Sequence, residues 1–409
     1  MASPIRLLYL IGRYPAINHG YLLAEIRHLR RLGLEVPVAS VNAPDRSREE
    51  LSEVEREEAA NTYYVKCVPL VCVAWAHIAE AIRHPWRYLR GLVCALQLAG
   101  ASVPGIARHV AYFAEAVLVG RKMRLLGVSH LHASFSATVG LITTRAFPVT
   151  MSFGVYGFGE LHNPVGTRLN ARIAGASFVR SISRYGRGQL MLSCSQSDWS
   201  KLHYVPLGID PTDFPPRPHR PNPSPIRLLC VGRLAPEKGQ TFLLHAVAAL
   251  CHAGIPLHLH LVGDGPEGAR LKNEASALGI AENVEFEGWA HGARLKSLYA
   301  QTDVFVLPSL AEGIPMVVME AMAMEIPCVA PHITGIPELI EHGSDGTLFH
   351  VADVEDLVRT IRNLIDSPDL RLKIGRRARV RVEREYNMAR NTERFAALLK
   401  QRLGGAASE

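Results

Sequence analysis

The sequence predicts an α/β protein of two doubly wound, parallel-sheet domains facing a cleft. Three observations carry this expectation. Each half opens on a similar apolar phrase ending at a glycine, Ile5-Arg6-Leu7-Leu8-Tyr9-Leu10-Ile11-Gly12 and Ile226-Arg227-Leu228-Leu229-Cys230-Val231-Gly232. Such a run marks a buried parallel strand feeding a loop. Extended and helical patterns alternate after each phrase, which implies a parallel sheet covered by helices on both faces. Between the halves, residues 211–225 hold seven prolines in fifteen positions, too many for a regular helix or a central strand.

The elements follow in order. In the first half, 21–32 has the spacing of an amphipathic helix stopped by Gly33, and 35–41 reads as the next strand. In the second half, helices are predicted over 241–252, 267–278, 294–300, 316–324 and 354–366, with strands over 257–262, 283–287, 304–307 and 328–330 between them. The expected division is a first domain over 1–210, an extended linker over 211–225 and a second domain over 226–386, followed by a helix and tail over 387–409. Ligands of doubly wound sheets bind beyond the carboxyl ends of the strands.

Composition removes several function classes. The 409 residues are 48% hydrophobic, enough for packed cores and unlike a disordered chain. The longest candidate for a membrane span, 91–107, is shorter than the ~20 residues a bilayer requires and contains Pro104. The first residues lack the basic region and small-residue cleavage pattern of a secretory leader. Seven cysteines without a C-x-x-C pair give neither a disulfide framework nor a zinc site. A cytoplasmic protein is expected, with no metal or other cofactor and no nucleic-acid partner.

The charge is uneven. Residues 1–210 carry +9 and the remainder −2, and 83–124 has seven basic residues against Glu115 alone. Two readings stay open: a face that meets something anionic, such as lipid headgroups, or an arginine-rich solvated face.

One motif misleads. Gly263-Asp264-Gly265-Pro266-Glu267-Gly268 has the G-x-G-x-x-G pattern of dinucleotide sites, with Glu285 near the spacing of a ribose-binding acid. It follows the domain's second strand, however, and Pro266 stands at the helix entry. A glycine turn near a phosphate-bearing ligand is the better expectation.

The chemistry concentrates in the second half. Glu312-Gly313-Ile314-Pro315 lies between a buried strand and a helix. Gly313 allows close approach to the backbone, and Pro315 suits the first helical turn. The free N–H groups and the helix dipole make an anion site. Glu320 lies eight residues past Glu312, about 12 Å at helical rise. That separation suits the two ends of one nucleotide-sugar. Glu320 is also embedded among apolar residues, where a charge needs a partner. Arg233 and Lys238, in the loop that opens at Gly232, can neutralise a diphosphate. No D-x-D occurs in the chain, so these cations are expected to do the work of a metal ion.

These motifs resemble glycosyltransferase family 4, the retaining nucleotide-sugar transferases of GT-B fold, in which two Rossmann-like domains face a cleft. The signature is EGIPMVVMEAMA (312–323), supported by GRLAPEKG (232–239), LVGDGPE (261–267) and TGIPELIEHGSDGTLF (334–349). In the first half, YPAINHGYLLAEIRHLRRLG (14–33), HLHASF (130–135) and SISRYGRGQLM (181–191) are similar to the branch that builds exopolysaccharides such as colanic acid. The resemblance implies that Glu320 binds the ribose, Glu312 the transferred sugar, and Arg233 and Lys238 the diphosphate. Gly232, Gly263, Gly265, Gly313, Ile314 and Pro315 would complete the donor site. It further implies that the first domain binds acceptor through residues such as His19, His132 and Tyr156, and that the C-terminal helix crosses back onto that domain. The departures lie in this acceptor half. The branch carries threonine, histidine and histidine where Gly20, Ser134 and Tyr156 stand here.

The function so implied is transfer of a hexose from a UDP- or GDP-sugar, with retention, to a saccharide or lipid-linked saccharide. Its expected place is the cytoplasm, with peripheral contact to the anionic inner face of the cell membrane. A nucleotide-sugar epimerase of the same fold and a non-catalytic sugar-nucleotide-binding subunit remain as alternatives.

Overall fold

The computed structural model describes residues 5–404, so residues 1–4 and the expected tail at 405–409 lie outside the described residues. The chain forms two compact units. The first comprises 1–182, 186–205 and 392–409, and the second 183–185 and 206–391.

In the first unit the strands are β1 (Leu8–Arg13), β2 (Val38–Asn42), β3 (Thr62–Tyr64), β4 (His130–Ser134), β5 (Thr150–Val155), β6 (Phe178–Ser181) and β7 (Leu202–Tyr204). They form one parallel sheet in the order β3-β2-β1-β4-β5-β6-β7. The chain order reverses between β1 and β4, and the carboxyl ends there open the crevice in which doubly wound sheets hold ligands. The helix α1 (Gly20–Arg31) buries Leu22, Ile26 and Leu29 at helical spacing, as the sequence pattern requires. A short α2 (Glu53–Ala60) starts at a capping box, in which Ser52 and Glu55 each satisfy the other's backbone N–H.

Three helices then follow one another, α3 (Leu70–Arg83), α4 (Pro85–Ala99) and α5 (Val103–Leu126). The helical period is weak over the first two, because α3 and α4 carry large apolar residues on their outer faces as well as apolar residues inside. Further helices of this unit are α6 (Ala137–Ala146), α7 (Phe158–Leu161), α8 (Leu169–Gly175) and α9 (Arg184–Leu192), whose first two residues belong to the second unit.

The second unit repeats the scheme with β8 (Ile226–Val231), α10 (Gln240–His252), β9 (Leu257–Val262), α11 (Gly268–Ala277), β10 (Val284–Gly288), α12 (Gly292–Gln301), β11 (Val304–Val306), α13 (Met316–Ala323), β12 (Cys328–Pro331), α14 (Ile336–Leu339) and β13 (Thr347–Phe349). Its parallel sheet runs β10-β9-β8-β11-β12-β13, with the reversal between β8 and β11. Then α15 (Val354–Asp366) buries Leu357, Ile361 and Leu364, and α16 (Pro368–Glu385) follows. Of α17 (Met388–Leu403), the part from Thr392 belongs to the first unit.

The proline-rich segment is not a free linker. It belongs to the second unit, where the Arg217 N–H donates to Met324 O at 3.1 Å and its guanidinium reaches Asp303 O at 3.3 Å. Proline removes the donors a sheet needs, yet the carbonyls still accept. Pro221 O, for example, receives Arg371 Nη2 at 2.7 Å.

Candidate active site

In the second unit the loops leaving β8 and β11 meet where the strand order reverses. Lys238, at the end of the 3-10 turn Pro236–Lys238, donates to Glu312 Oε1 at 2.6 Å, and Ser309 Oγ donates to the same oxygen at 2.7 Å. Arg233 pairs with Glu237. Both predicted cations therefore face carboxylates across short distances. The backbone explains the closeness of the loops: Leu310 N–H donates to Glu237 O at 2.8 Å, and Gly239 has φ +63° with Pro308 O only 2.3 Å from where a Cβ would stand.

The glycine turn after β9 packs onto the same loop. A Cβ on Gly263 would lie 2.0 Å from Gly232 O, and one on Gly265 would lie 2.3 Å from Leu234 O. Contact between two loops is what requires these glycines. Gly232 is half-buried, with Lys238 Cδ 3.9 Å from its Cβ position.

Beyond Glu312, Gly313 is half-buried while Ile314 and Pro315 are buried. Pro315 stands at the N-cap of α13, one position ahead of the predicted first turn, and no side chain caps the helix. Uncapped N–H groups at a helix start attract anions. On α13, Glu320 Oε2 accepts from Tyr299 Oη at 2.9 Å. Burial raises its pKa, opposed by that hydrogen bond and by Lys296. Tyr299 on α12 is the partner that the apolar setting of Glu320 required. Tyr299, Ser309 and Glu237 have no signature in the sequence, because their contacts with Glu320, Glu312 and Arg233 form only in the fold.

In the first unit the three residues expected on the acceptor side lie at different depths. His132 is fully buried in β4. Its Nδ1 bonds Ser152 Oγ at 2.8 Å, its ring packs on Tyr9 and Phe395, and burial holds it neutral. Tyr156 is also buried. Its hydroxyl bonds Ser134 Oγ at 2.8 Å, and burial pushes its pKa up to about 12. His19, half-buried just before α1, stacks on Phe135 with ring centroids 4.4 Å apart. Its pKa is lowered by burial, against a backbone hydrogen bond involving Arg13.

Beneath these residues lies a buried ionic knot. Arg180 on β6 donates to Glu25 of α1 at 2.5 Å and to Val205 O at 3.0 Å, while Tyr9 Oη donates to Glu25 at 2.7 Å. An arginine inside an apolar strand is the signal that could have revealed it.

One cavity of this unit borders Phe135, on which His19 and Tyr156 both pack. About 320 Å³ in volume, it is lined by Gly12, Asn42, Lys66, Glu115, Glu160 and Arg172 among others. Lys66 and Glu115 are 3.6 Å apart, and Glu160 and Arg172 3.8 Å. Burial raises the Glu115 and Glu160 carboxyls, which their cationic partners oppose. Phe135, on its rim, has φ +61°, a strained conformation for a non-glycine residue. Two groups among the described residues have cation-ligand spacing, His258/His260/Glu285 and His350/Asp353/Asp356, and neither includes Arg233, Lys238, Glu312 or Glu320.

Comparison with known proteins agrees with this architecture. The family described as Glycosyl transferases group 1 matches residues 212–381. WcaL of Escherichia coli (strain K12), assigned to colanic acid biosynthesis as a glycosyltransferase, is 25% identical over 96% of this chain and 98% of its own length. The amylovoran biosynthesis glycosyltransferase AmsK of Erwinia amylovora is 30% identical over 49% of this chain and 51% of its own. Among solved structures, Anabaena HepE in complex with UDP has a TM-score of 0.73 at 18% identity, covering 97% of this chain and all (100%) of HepE. Sucrose-phosphate synthase of Thermosynechococcus elongatus has a TM-score of 0.76 at 18% identity, covering 99% and 100%.

Proposed function

From a chain that is a glycosyltransferase of GT-B fold, we infer a retaining hexosyltransferase of family 4 type. It takes a UDP- or GDP-sugar as donor and extends a lipid-linked saccharide in exopolysaccharide synthesis. The observation that carries this reading is the meeting of Lys238, Glu312 and Ser309 beside the uncapped start of α13. WcaL and AmsK, named for colanic acid and amylovoran, support the exopolysaccharide class, and HepE, solved with UDP and with UDP-glucose, supports the donor.

In this mechanism Arg233 and Lys238 exchange their carboxylate partners for the donor diphosphate. Glu312 then accepts hydrogen bonds from the sugar, and Glu320 from the ribose. The anomeric C–O bond to phosphate breaks with its electron pair leaving on the diphosphate, which the two cations and the helix start stabilise. The acceptor hydroxyl attacks the anomeric carbon from the same face, and its proton passes to the departing phosphate oxygen. Positioning and leaving-group stabilisation supply the catalysis, with no metal required. We assign the acceptor saccharide to the cavity bordered by Glu115, Glu160 and Arg172. The enzyme would work in the cytoplasm, peripheral to the anionic face of the membrane.

Product analysis tests this reading. Purified protein with UDP- and GDP-sugars and lipid-linked acceptors should yield a glycoside of retained configuration. Arg233→Ala or Lys238→Ala should lower kcat at least tenfold, about 1.4 kcal/mol in the barrier, and a chelator should leave wild-type activity unchanged. Full activity in either variant, or loss with chelator, contradicts the metal-free clamp.

A further inference from the structure

On their inner faces, α3 and α4 bury mainly small residues: Ala76 and Ala79 on α3, Gly91 and Ala95 beside Leu98 on α4. Their large apolar residues point outward. Val71, Trp75, Ile78 and Ile82 recur at steps of four, three and four along α3, each between 51% and 81% exposed. Trp86, Leu89, Val93 and Leu96 repeat the pattern on α4, and Val103, Ile106 and Val110 do so on α5. Single exposed apolar residues are ordinary, whereas such rows on consecutive helices mark an interaction surface.

Charge selects the occupant. Arg83, Arg87, Arg90 and Arg108 are exposed on these same helices. The one acid between residues 67 and 114 is Glu80, which is buried and held by Arg124 through bonds of 2.8 and 2.9 Å. The face thus offers guanidinium groups and tryptophans with no exposed carboxylate, the composition of a surface that enters the headgroup region of an anionic bilayer. A cavity of about 740 Å³ adjoins it, with Trp86, Leu89 and Val93 in its wall and Arg90, Arg145 and Arg168 around it. Apolar walls bordered by guanidinium groups suit a phosphate-bearing amphiphile.

We propose that the outer face of α3–α5 inserts its apolar rows into the headgroup–acyl boundary of an anionic membrane, with the arginines on the lipid phosphates. This rests on the membrane-facing reading of the acceptor above and deepens it: the anchor is inserted, and only part of it is electrostatic. Vesicle binding needs no donor, and donor binding needs no vesicle, so failure of this inference is separable from failure of the transferase reading.

The test is co-sedimentation of the full chain with phosphatidylcholine vesicles with and without phosphatidylglycerol, at low salt and near 1 M salt, where screening acts within ~3 Å. Wild type should bind the anionic vesicles and keep a measurable bound fraction at high salt, with a blue shift of tryptophan emission. Trp75→Ser/Ile82→Ser/Trp86→Ser should lower binding about tenfold or more at both salts. Arg83→Gln/Arg87→Gln/Arg90→Gln should lower it chiefly at low salt. Circular dichroism spectra and melting temperatures equal to those of wild type verify that both variants fold. Absence of wild-type binding, or apolar-variant binding equal to wild type, overturns the proposal. So does a dimer in light scattering that the apolar variant splits, because the face would then join two copies of the chain.

Discussion

At the scale of single residues, the two histidine departures in the acceptor half are one change. Ser134 and Tyr156, each standing where the resembling branch has histidine, hydrogen-bond each other at 2.8 Å inside the first unit. A small and a large hydroxyl residue together occupy the space, and burial keeps the phenol protonated. A phenol so engaged is a packing group rather than a base. Tyr156→Phe should therefore cost about 1 kcal/mol by leaving Ser134 without that partner. In a double-mutant cycle with Ser134→Ala, the combined loss should fall short of the sum. Urea melts of the four proteins measure this, and strict additivity would dissolve the pair. Glu320 poses the opposite case, a carboxyl whose burial raises its pKa. The folded state then holds the proton more readily than the unfolded state. Stability from this site is greatest below the unfolded carboxyl pKa and declines as pH rises through the folded one. Glu320→Gln, which keeps an acceptor for Tyr299, should raise the melting temperature at pH 7, and the gain should vanish in acid. Nucleotide-sugar affinity should fall in the same variant, and a rise in affinity would remove Glu320 from the donor site.

At the scale of elements, legibility in the sequence followed how locally each element is specified. The strand Leu257–Val262 and the helix Val354–Asp366 lie where the pattern predicts them, since leucines alternating with half-buried histidines and a one-sided stripe are each local facts. The helices α3 and α4 escaped because apolar residues on two faces blur the helical period. Contacts between distant elements escaped altogether. Glu25 and Arg180 are 155 residues apart, and nothing in either segment names the other. The loops carrying Lys238 and Glu312 were legible because a glycine-ended strand and an E-x7-E helix fix where these residues stand, whereas their pairing required the fold. The strand β4 carries a prediction of its own. His130 is buried between Thr150 Oγ1 at 2.7 Å and Ser152 Oγ at 2.9 Å, and burial lowers its pKa to about 4. In the unfolded chain it protonates near pH 6.5. Stability linked to His130 is therefore present above that pH and lost as pH falls toward 4, by on the order of 3 kcal/mol. Urea melts between pH 7 and 4.5 should show this loss, and His130→Gln should flatten it. An equal slope in the variant would assign the acid sensitivity to other groups.

At the scale of the whole molecule, each unit has its own sheet, core and strand reversal, and the proposed chemistry is divided between them. The proposed donor groups Arg233, Lys238, Glu312 and Glu320 all belong to the second unit, while the cavity at Glu115 and Arg172 and the apolar rows of α3–α5 belong to the first. A ligand that binds only the native protein stabilises it by RT ln(1 + [L]/Kd), about 2.7 kcal/mol at a hundredfold excess over Kd. Local opening is suppressed most where the ligand's own contacts form. UDP alone should therefore slow backbone hydrogen exchange in residues 232–239 and 309–320, the loops that bring Lys238 to Glu312. Residues 70–126 should exchange at the rate of the free protein, because α3–α5 contribute no donor group. A lipid-linked acceptor or an anionic vesicle should reverse the pattern, protecting 70–126 and leaving 309–320 unchanged. The two protection maps, measured separately, test whether donor and acceptor chemistry belong to different units. If UDP protects 70–126 as strongly as 309–320, the division of labour argued from the two sheets is wrong.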